Sequence, residues 1–165
     1  MKKTLCWIGL FLIAYILQTS FLNLFSFKNI NVDLILLLTV SYSLTHGSRK
    51  GAFVGFCGGL LQDIASGTFL GFNTFSKMII GFIFGFMLGR VYEKKILLPL
   101  VSSIGATIVN YLILTLIVLL LGYKINMMQS LYNLLLIPLI YNLCLSYFVH
   151  RIVCWLKNKS FDEYQ

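Results

Sequence analysis

Residues 51–89 read GAFVGFCGGLLQDIASGTFLGFNTFSKMIIGFIFGFMLG, two apolar runs joined by the turn-like Ser66-Gly67-Thr68-Phe69-Leu70-Gly71. Gly51, Gly55, Gly59 and Asp63 recur at four-residue spacing in the first run, and Lys77, Gly81, Gly85 and Gly89 in the second. The two series mirror one another about residue 70: 51 with 89, 55 with 85, 59 with 81 and 63 with 77. An antiparallel helical hairpin folded there brings each glycine to the depth of its counterpart and Asp63 to the depth of Lys77. Small residues four apart let helix backbones approach closely in a membrane, where packing must replace the hydrophobic effect. The stretch predicts a tight helical hairpin within a bilayer.

The totals agree with a bilayer. Of 165 residues, 59% are hydrophobic and 11% charged, and the mean hydropathy is +0.89. A soluble domain carries about 25% charged residues, so this chain cannot cover a water-facing surface. A spanning helix needs roughly 20 apolar residues, and the length accommodates five or six with short connections. One all-α polytopic domain with no soluble module is expected. Cys6, Cys57, Cys144 and Cys154 lie in or beside apolar runs without CxxC spacing, which argues for buried thiols rather than a disulfide framework or zinc site.

Six transmembrane helices are expected, at about residues 4–25, 34–44, 51–65, 70–91, 96–121 and 131–155, with a short polar tail at 156–165. The basic start Met1-Lys2-Lys3 before an apolar run resembles a signal peptide, but the run is long, lacks an A-x-A site and leads into further spans. It reads as an uncleaved first helix. Pro99 falls in the first turns of the fifth span, where proline costs little, and Pro138 inside the sixth, where it should kink the helix or loosen one backbone bond. Six spans place both termini on one side of the membrane. That side holds Lys2, Lys3, Arg49, Lys50, Arg90, Lys94, Lys95, Arg151, Lys157 and Lys159, against Lys28 and Lys124 on the other. By the positive-inside rule the termini are cytoplasmic, and the net charge of +8 is a signature of orientation rather than of nucleic-acid binding.

Ionisable residues within spans are costly and are candidates for function by default. Lys77 either snorkels to the external headgroups or pairs with Asp63 across the hairpin, fixing its register. Asp33 opens the second span, where capping and the helix dipole favour an acid. Asn110 and Asn142 lie near the middles of the last two spans and are equidistant from Asn126. They either bond each other or each find a separate partner.

No catalytic constellation is present in the sequence: there is no GxSxG, HExxH, P-loop or GxGxxG. Gly47-Ser48-Arg49-Lys50-Gly51 lacks the spacing of a phosphate loop and reads as a basic cytoplasmic turn. Neither His46 nor His150 has a metal-ligand neighbour. No catalytic, cofactor or metal residues are assigned, and an enzyme is not expected.

With these residues in place the pattern resembles the MreD family, the bacterial rod shape-determining integral membrane proteins. The resemblance is carried by Gln18-Thr19-Ser20, Asp33-Leu34, Gly47, Gly51, Gly55-Phe56, Gly58-Gly59-Leu60-Leu61-Gln62-Asp63, Leu70-Gly71 and the Gly81, Gly85 and Gly89 series. The family often has proline immediately before the acid of the second span, where this chain has Val32. The resemblance implies a non-enzymatic scaffold of the lateral wall-building machinery in the bacterial cytoplasmic membrane. It implies association with MreC and, through MreC, with MreB, RodA and a class B penicillin-binding protein. It also implies the six-helix fold of S components of energy-coupling-factor vitamin transporters. A solute-binding S component is the alternative function. The short external connections (about residues 26–32, 66–70 and 122–130) and the lack of AxxxA in the first span favour the scaffold. Gly51, Gly55, Gly59, Gly81, Gly85 and Gly89 either pack the hairpin internally or form a partner interface, and the sequence leaves both open.

Overall fold

The structure, a computed structural model, describes residues 2–21, 32–67, 69–87, 97–122, 126 and 130–162. Among them run six α-helices: α1 (Lys2–Ile16, continued by a π-helical turn over Leu17–Phe21), α2 (Leu34–His46), α3 (Ser48–Ser66), α4 (Phe72–Gly85), α5 (Leu97–Leu120) and α6 (Ile137–Asp162, entered through π-helical Tyr132–Leu136). Residues 98–120 and 134–157 form helices long and apolar enough to cross a membrane, and Trp7–Ser20, Leu34–His46 and Phe72–Gly85 are shorter apolar helices. Helix extends through Asp162, so most of the segment expected as a polar tail from residue 156 is a continuation of α6. The proline in α6 is accommodated at its start. Pro138 lacks an N–H and its ring would meet the carbonyl four residues back. A wider π-helical turn, Tyr132–Leu136, lies immediately before it, a place where such a local disruption is tolerated.

Everything is arranged around α2. It touches each of the other five helices, and its sequence LILLLTVSYSLTH is apolar or small on every side, as a helix surrounded by others must be. Two cores form on opposite flanks. On one, Ile35, Leu37 and Leu38 meet Phe11 and Ala14 of α1 and Val149 and Val153 of α6. On the other, Leu36, Val40 and Leu44 meet Ile80 and Phe84 of α4 and Ala106 of α5. Large apolar side chains such as Phe53, Phe82, Leu112, Leu116 and Phe148 point outward. Many of the buried side chains, by contrast, are polar, including Thr39, Ser43, Ser103, Thr107 and Ser146. Each of these five donates its hydroxyl to a carbonyl three or four residues back in its own helix, which satisfies the donor inside the bundle.

The C-terminal end of α2 is tied down by side chains. Lys157 Nζ donates to the Thr45 carbonyl at 2.9 Å, a cation on the last turn of a helix. Trp7 stands edge-on to Tyr42 (4.7 Å between ring centres) and to His46 (5.6 Å), and those two rings stack at 4.1 Å.

Candidate functional site

The N-terminal ends of α2 and α4 decide where the charged side chains go. α2 has 13 residues and α4 has 14, or about 20 Å each at 1.5 Å per residue. Both fall short of a hydrocarbon layer about 30 Å thick. Their first N–H groups have no intrahelical acceptor, and in an apolar surrounding each would cost several kcal/mol if left unpaired. Polar side chains from four elements converge to satisfy them.

At α2, the Leu34 N–H donates to Gln18 Oε1 (3.0 Å), the Leu36 N–H to Asp33 Oδ1 (3.0 Å) and the Asp33 N–H to Asn142 Oδ1 (3.4 Å). At α4 the N-cap position is Gly71, which has no side chain to offer. Asp63, in the last turn of α3, supplies the missing acceptor. Its carboxylate receives the N–H groups of Gly71 (3.0 Å), Asn73 (2.9 Å) and Thr74 (3.0 Å), the Asn73 amide (3.0 Å) and the Thr74 hydroxyl (2.7 Å). Each acid therefore sits on the positive end of a helix dipole.

Lys77 joins the two caps. Its side chain is 0% exposed, and Nζ lies 2.8 Å from Asp33 Oδ2, whose side chain is 17% exposed. Nζ also donates to Asn73 Oδ1 at 3.1 Å. Asn73 thus accepts from the lysine with its oxygen and donates to Asp63 with its nitrogen. Gln62 donates to Asp33 Oδ1 at 3.2 Å. The result is a chain of contacts from Asp63 through Asn73 and Lys77 to Asp33 and Gln62. Such a cluster can hold helix ends in register. Among the described residues no group of three or more His, Cys, Asp or Glu side chains is placed to hold a metal ion.

Of the alternatives that the sequence left open, two pairings are not formed. Lys77 pairs with Asp33 and not with Asp63, because the hairpin closes nearer to residue 66 than to residue 70. A Cβ on Gly81 would meet Gly51, one on Gly55 would meet the Lys77 carbonyl, one on Gly59 would meet Asn73 and Thr74, and one on Gly85 would meet Ser48. Each residue of α3 therefore faces a partner eight positions, or about two turns, earlier than the mirror about residue 70 requires. Asp63 then falls beside the start of α4 rather than opposite Lys77. The turn is short because Gly67 (φ 65°) and Gly71 (φ 107°) take left-handed conformations that other residues resist. Gly89 lies outside the described residues.

Asn110 and Asn142 do not bond each other. Asn110 Oδ1 accepts the Ser76 hydroxyl of α4, while Asn142 Nδ2 donates to Thr107 Oγ1 at 3.1 Å. In the antiparallel α5–α6 pair Asn142 faces the turn inward of Asn110, which leaves Asn110 directed at α4. Gln18, late in the first span, is placed by sequence where a polar side chain can reach headgroups or a partner helix, whereas nothing in the sequence singles out Gln62, Asn73, Thr74, Ser76 or Thr107. Asn73 and Thr74 carry one signal, a polar side chain in the first turn of a short apolar helix. A helix end in hydrocarbon makes that position valuable.

Comparison with known families matches the chain over residues 1–159 to a model described as rod shape-determining protein MreD. Comparison with curated proteins and with solved structures yields no match.

Proposed function

Because this chain belongs to the rod shape-determining protein MreD family, we propose that it is a membrane scaffold of the lateral cell-wall elongation machinery, docking the transmembrane helix of MreC. Family membership makes it a non-enzymatic integral membrane protein of rod shape determination. The single observation that carries the proposal is the extent of the match, residues 1–159 of 165. The site is consistent with it: the charged and amide side chains of the outer cluster bond one another or the starts of α2 and α4, as in a shape-holding protein.

The scaffold reading extends, through MreC, to MreB, RodA and a class B penicillin-binding protein. It places the protein in the bacterial cytoplasmic membrane with both termini cytoplasmic, as the distribution of lysine and arginine supports. The S-component-like arrangement of the six helices belongs to the same proposal. Gly51, Gly55, Gly59, Gly81 and Gly85 face the α3–α4 contact, which leaves outward apolar faces such as those of α5 and α6 for a partner helix. Co-expression of tagged protein with MreC, followed by detergent extraction and affinity capture, tests the proposal. MreC should be retained in stoichiometric amount, and its loss under conditions that keep the scaffold folded would overturn the docking role.

A further inference from the structure

We propose an anionic phospholipid site at the end of the bundle where α2 finishes and α3 begins. Arg49, Lys50 and Lys157 hold the headgroup phosphate there, and Trp7 lies beside its glycerol region. Arg49 and Lys50 stand exposed in the first turn of α3, which carries no acid. Lys157 comes from α6, and its ammonium is fixed at 2.9 Å on the Thr45 carbonyl of α2. Lys157 and Lys50 are both near enough to act on the His46 ring through their charge. That ring lies 5.6 Å from Trp7 of α1, so α1, α2, α3 and α6 all contribute to one small area. The area is held together by its own contacts: His46 stacks on Tyr42 at 4.1 Å, and Trp7 stands edge-on to both rings. Fixing the long Lys157 side chain in advance removes part of the entropy cost of immobilising it on a ligand.

The chain cannot neutralise this end by itself. Of its five acids, Asp33 and Asp63 are committed at the opposite end, to Lys77 and to the start of α4. Only Glu93, Asp162 and Glu163 remain for the ten lysines and arginines that the sequence places at this end. Like charges gathered at a low-dielectric boundary repel one another, and an anion from outside the chain balances the excess. Tryptophan at a membrane–water interface sits at the level of the headgroups, so the anion that meets these bases beside Trp7 is a lipid phosphate. Basic pockets between transmembrane helices take anionic headgroups by this chemistry. Phosphatidylcholine brings an ammonium of its own, which the three bases repel. The site therefore selects a lipid of net negative charge, such as phosphatidylglycerol.

The chain contains two tryptophans, so Trp155→Phe leaves Trp7 as the reporter of the site. This variant is reconstituted in phosphatidylcholine vesicles that contain a minor share of spin-labelled phosphatidylglycerol or, separately, of spin-labelled phosphatidylcholine. With the label near the top of an acyl chain, Trp7 should show a several-fold preference for phosphatidylglycerol in its quenching. Arg49→Gln with Lys50→Gln should remove most of that preference. Lys28→Gln with Lys124→Gln deletes equal charge where the sequence places the opposite end, and should keep it. Equal quenching by the two lipids would overturn the site. Equal loss in both double variants would trace the preference to net charge and overturn it as a site made by these residues. Unlabelled phosphatidylglycerol should relieve the quenching, and inorganic phosphate at the same concentration should not. Relief by phosphate would assign the patch to a free anion and overturn the lipid reading. No outcome depends on MreC binding.

Discussion

Lys77 is wholly buried inside the bundle, so its stability there depends on Asp33 and Asn73. Removing one partner of a buried pair leaves the other charge uncompensated and typically costs about 3–5 kcal/mol. Lys77→Met should therefore lower the thermal midpoint in detergent sharply. Asp33→Asn should lower it as well, although asparagine keeps the capping acceptor for the Leu36 N–H. The double variant should be less damaged than the sum of the two, by about 1–3 kcal/mol of coupling. Coupling between Asp63→Asn and Lys77→Met should be smaller, since those residues communicate only through Asn73. A larger 63–77 than 33–77 coupling would contradict the pairing described. Sequence identified the ionisable residues inside the spans but not their pairing. Asp33 and Lys77 lie on different helices in a three-body arrangement with α3, and no spacing rule along the chain relates them.

At the scale of elements, the α3–α4 hairpin rests on backbone-to-backbone contact. A methyl at Gly55 would overlap the Lys77 carbonyl and one at Gly59 the Asn73 carbonyl. Overpacking of a close-fitted contact costs about 1–3 kcal/mol, and more where backbone must move. Gly55→Ala and Gly59→Ala should therefore each reduce the thermal midpoint. Gly9→Ala, in α1 with open space around it, should leave it unchanged or raise it slightly through helix propensity. The existence of this hairpin is legible in the glycine spacing, and its register is not. A stripe with period four keeps the same face after a slide of four or eight residues, so a mirror about residue 66 still sets Gly51 against Gly81 and leaves Gly55 and Gly59 free to meet the backbone of α4 at Lys77 and Asn73. The slide is resolved by Asp63, which must lie where α4 begins, and by a turn short enough to bring it there. Helix positions elsewhere were readable because apolar runs bounded by charge or by a tight turn admit little else. The continuation of α6 through Asp162 was not, since polar residues on a helix extending past its apolar part look like a tail.

At the scale of the whole molecule, an apolar exterior encloses a partly polar interior, and charge distribution proposes which end faces the cytoplasm. In a cysteine-free background, Asn126→Cys, in the exposed connection between α5 and α6, should react with a membrane-impermeant maleimide added to intact spheroplasts. Arg49→Cys, exposed near the start of α3, should react only after the membrane is opened. The opposite pattern would invert the proposed topology. With MreC co-expressed, cysteines at Phe53, Phe82, Leu112, Leu116 and Phe148, all outward-facing, should crosslink on one flank and not all round. Uniform labelling by lipid-soluble reagent with no crosslink at any of them would count against helix docking. The polarity of the interior was only partly visible beforehand. Serine and threonine that bond their own helix are locally self-sufficient, and a sequence does not reveal which way they turn.

The capping of α2 by residues made long after it has a consequence for biogenesis. Asp33 leaves the ribosome well before Gln62 and Lys77, and Asn142 follows it by 109 positions. At synthesis rates of about 5–20 residues per second, the carboxylate waits some seconds for its lysine and longer for the amide. During that interval the acid end of α2 has only Gln18 of the side chains from other elements that later bond it, which favours keeping it in the water layer. The depth at which α2 finally rests is therefore set on arrival of α4 and α6, and the centre of the protein is the part whose position is decided last.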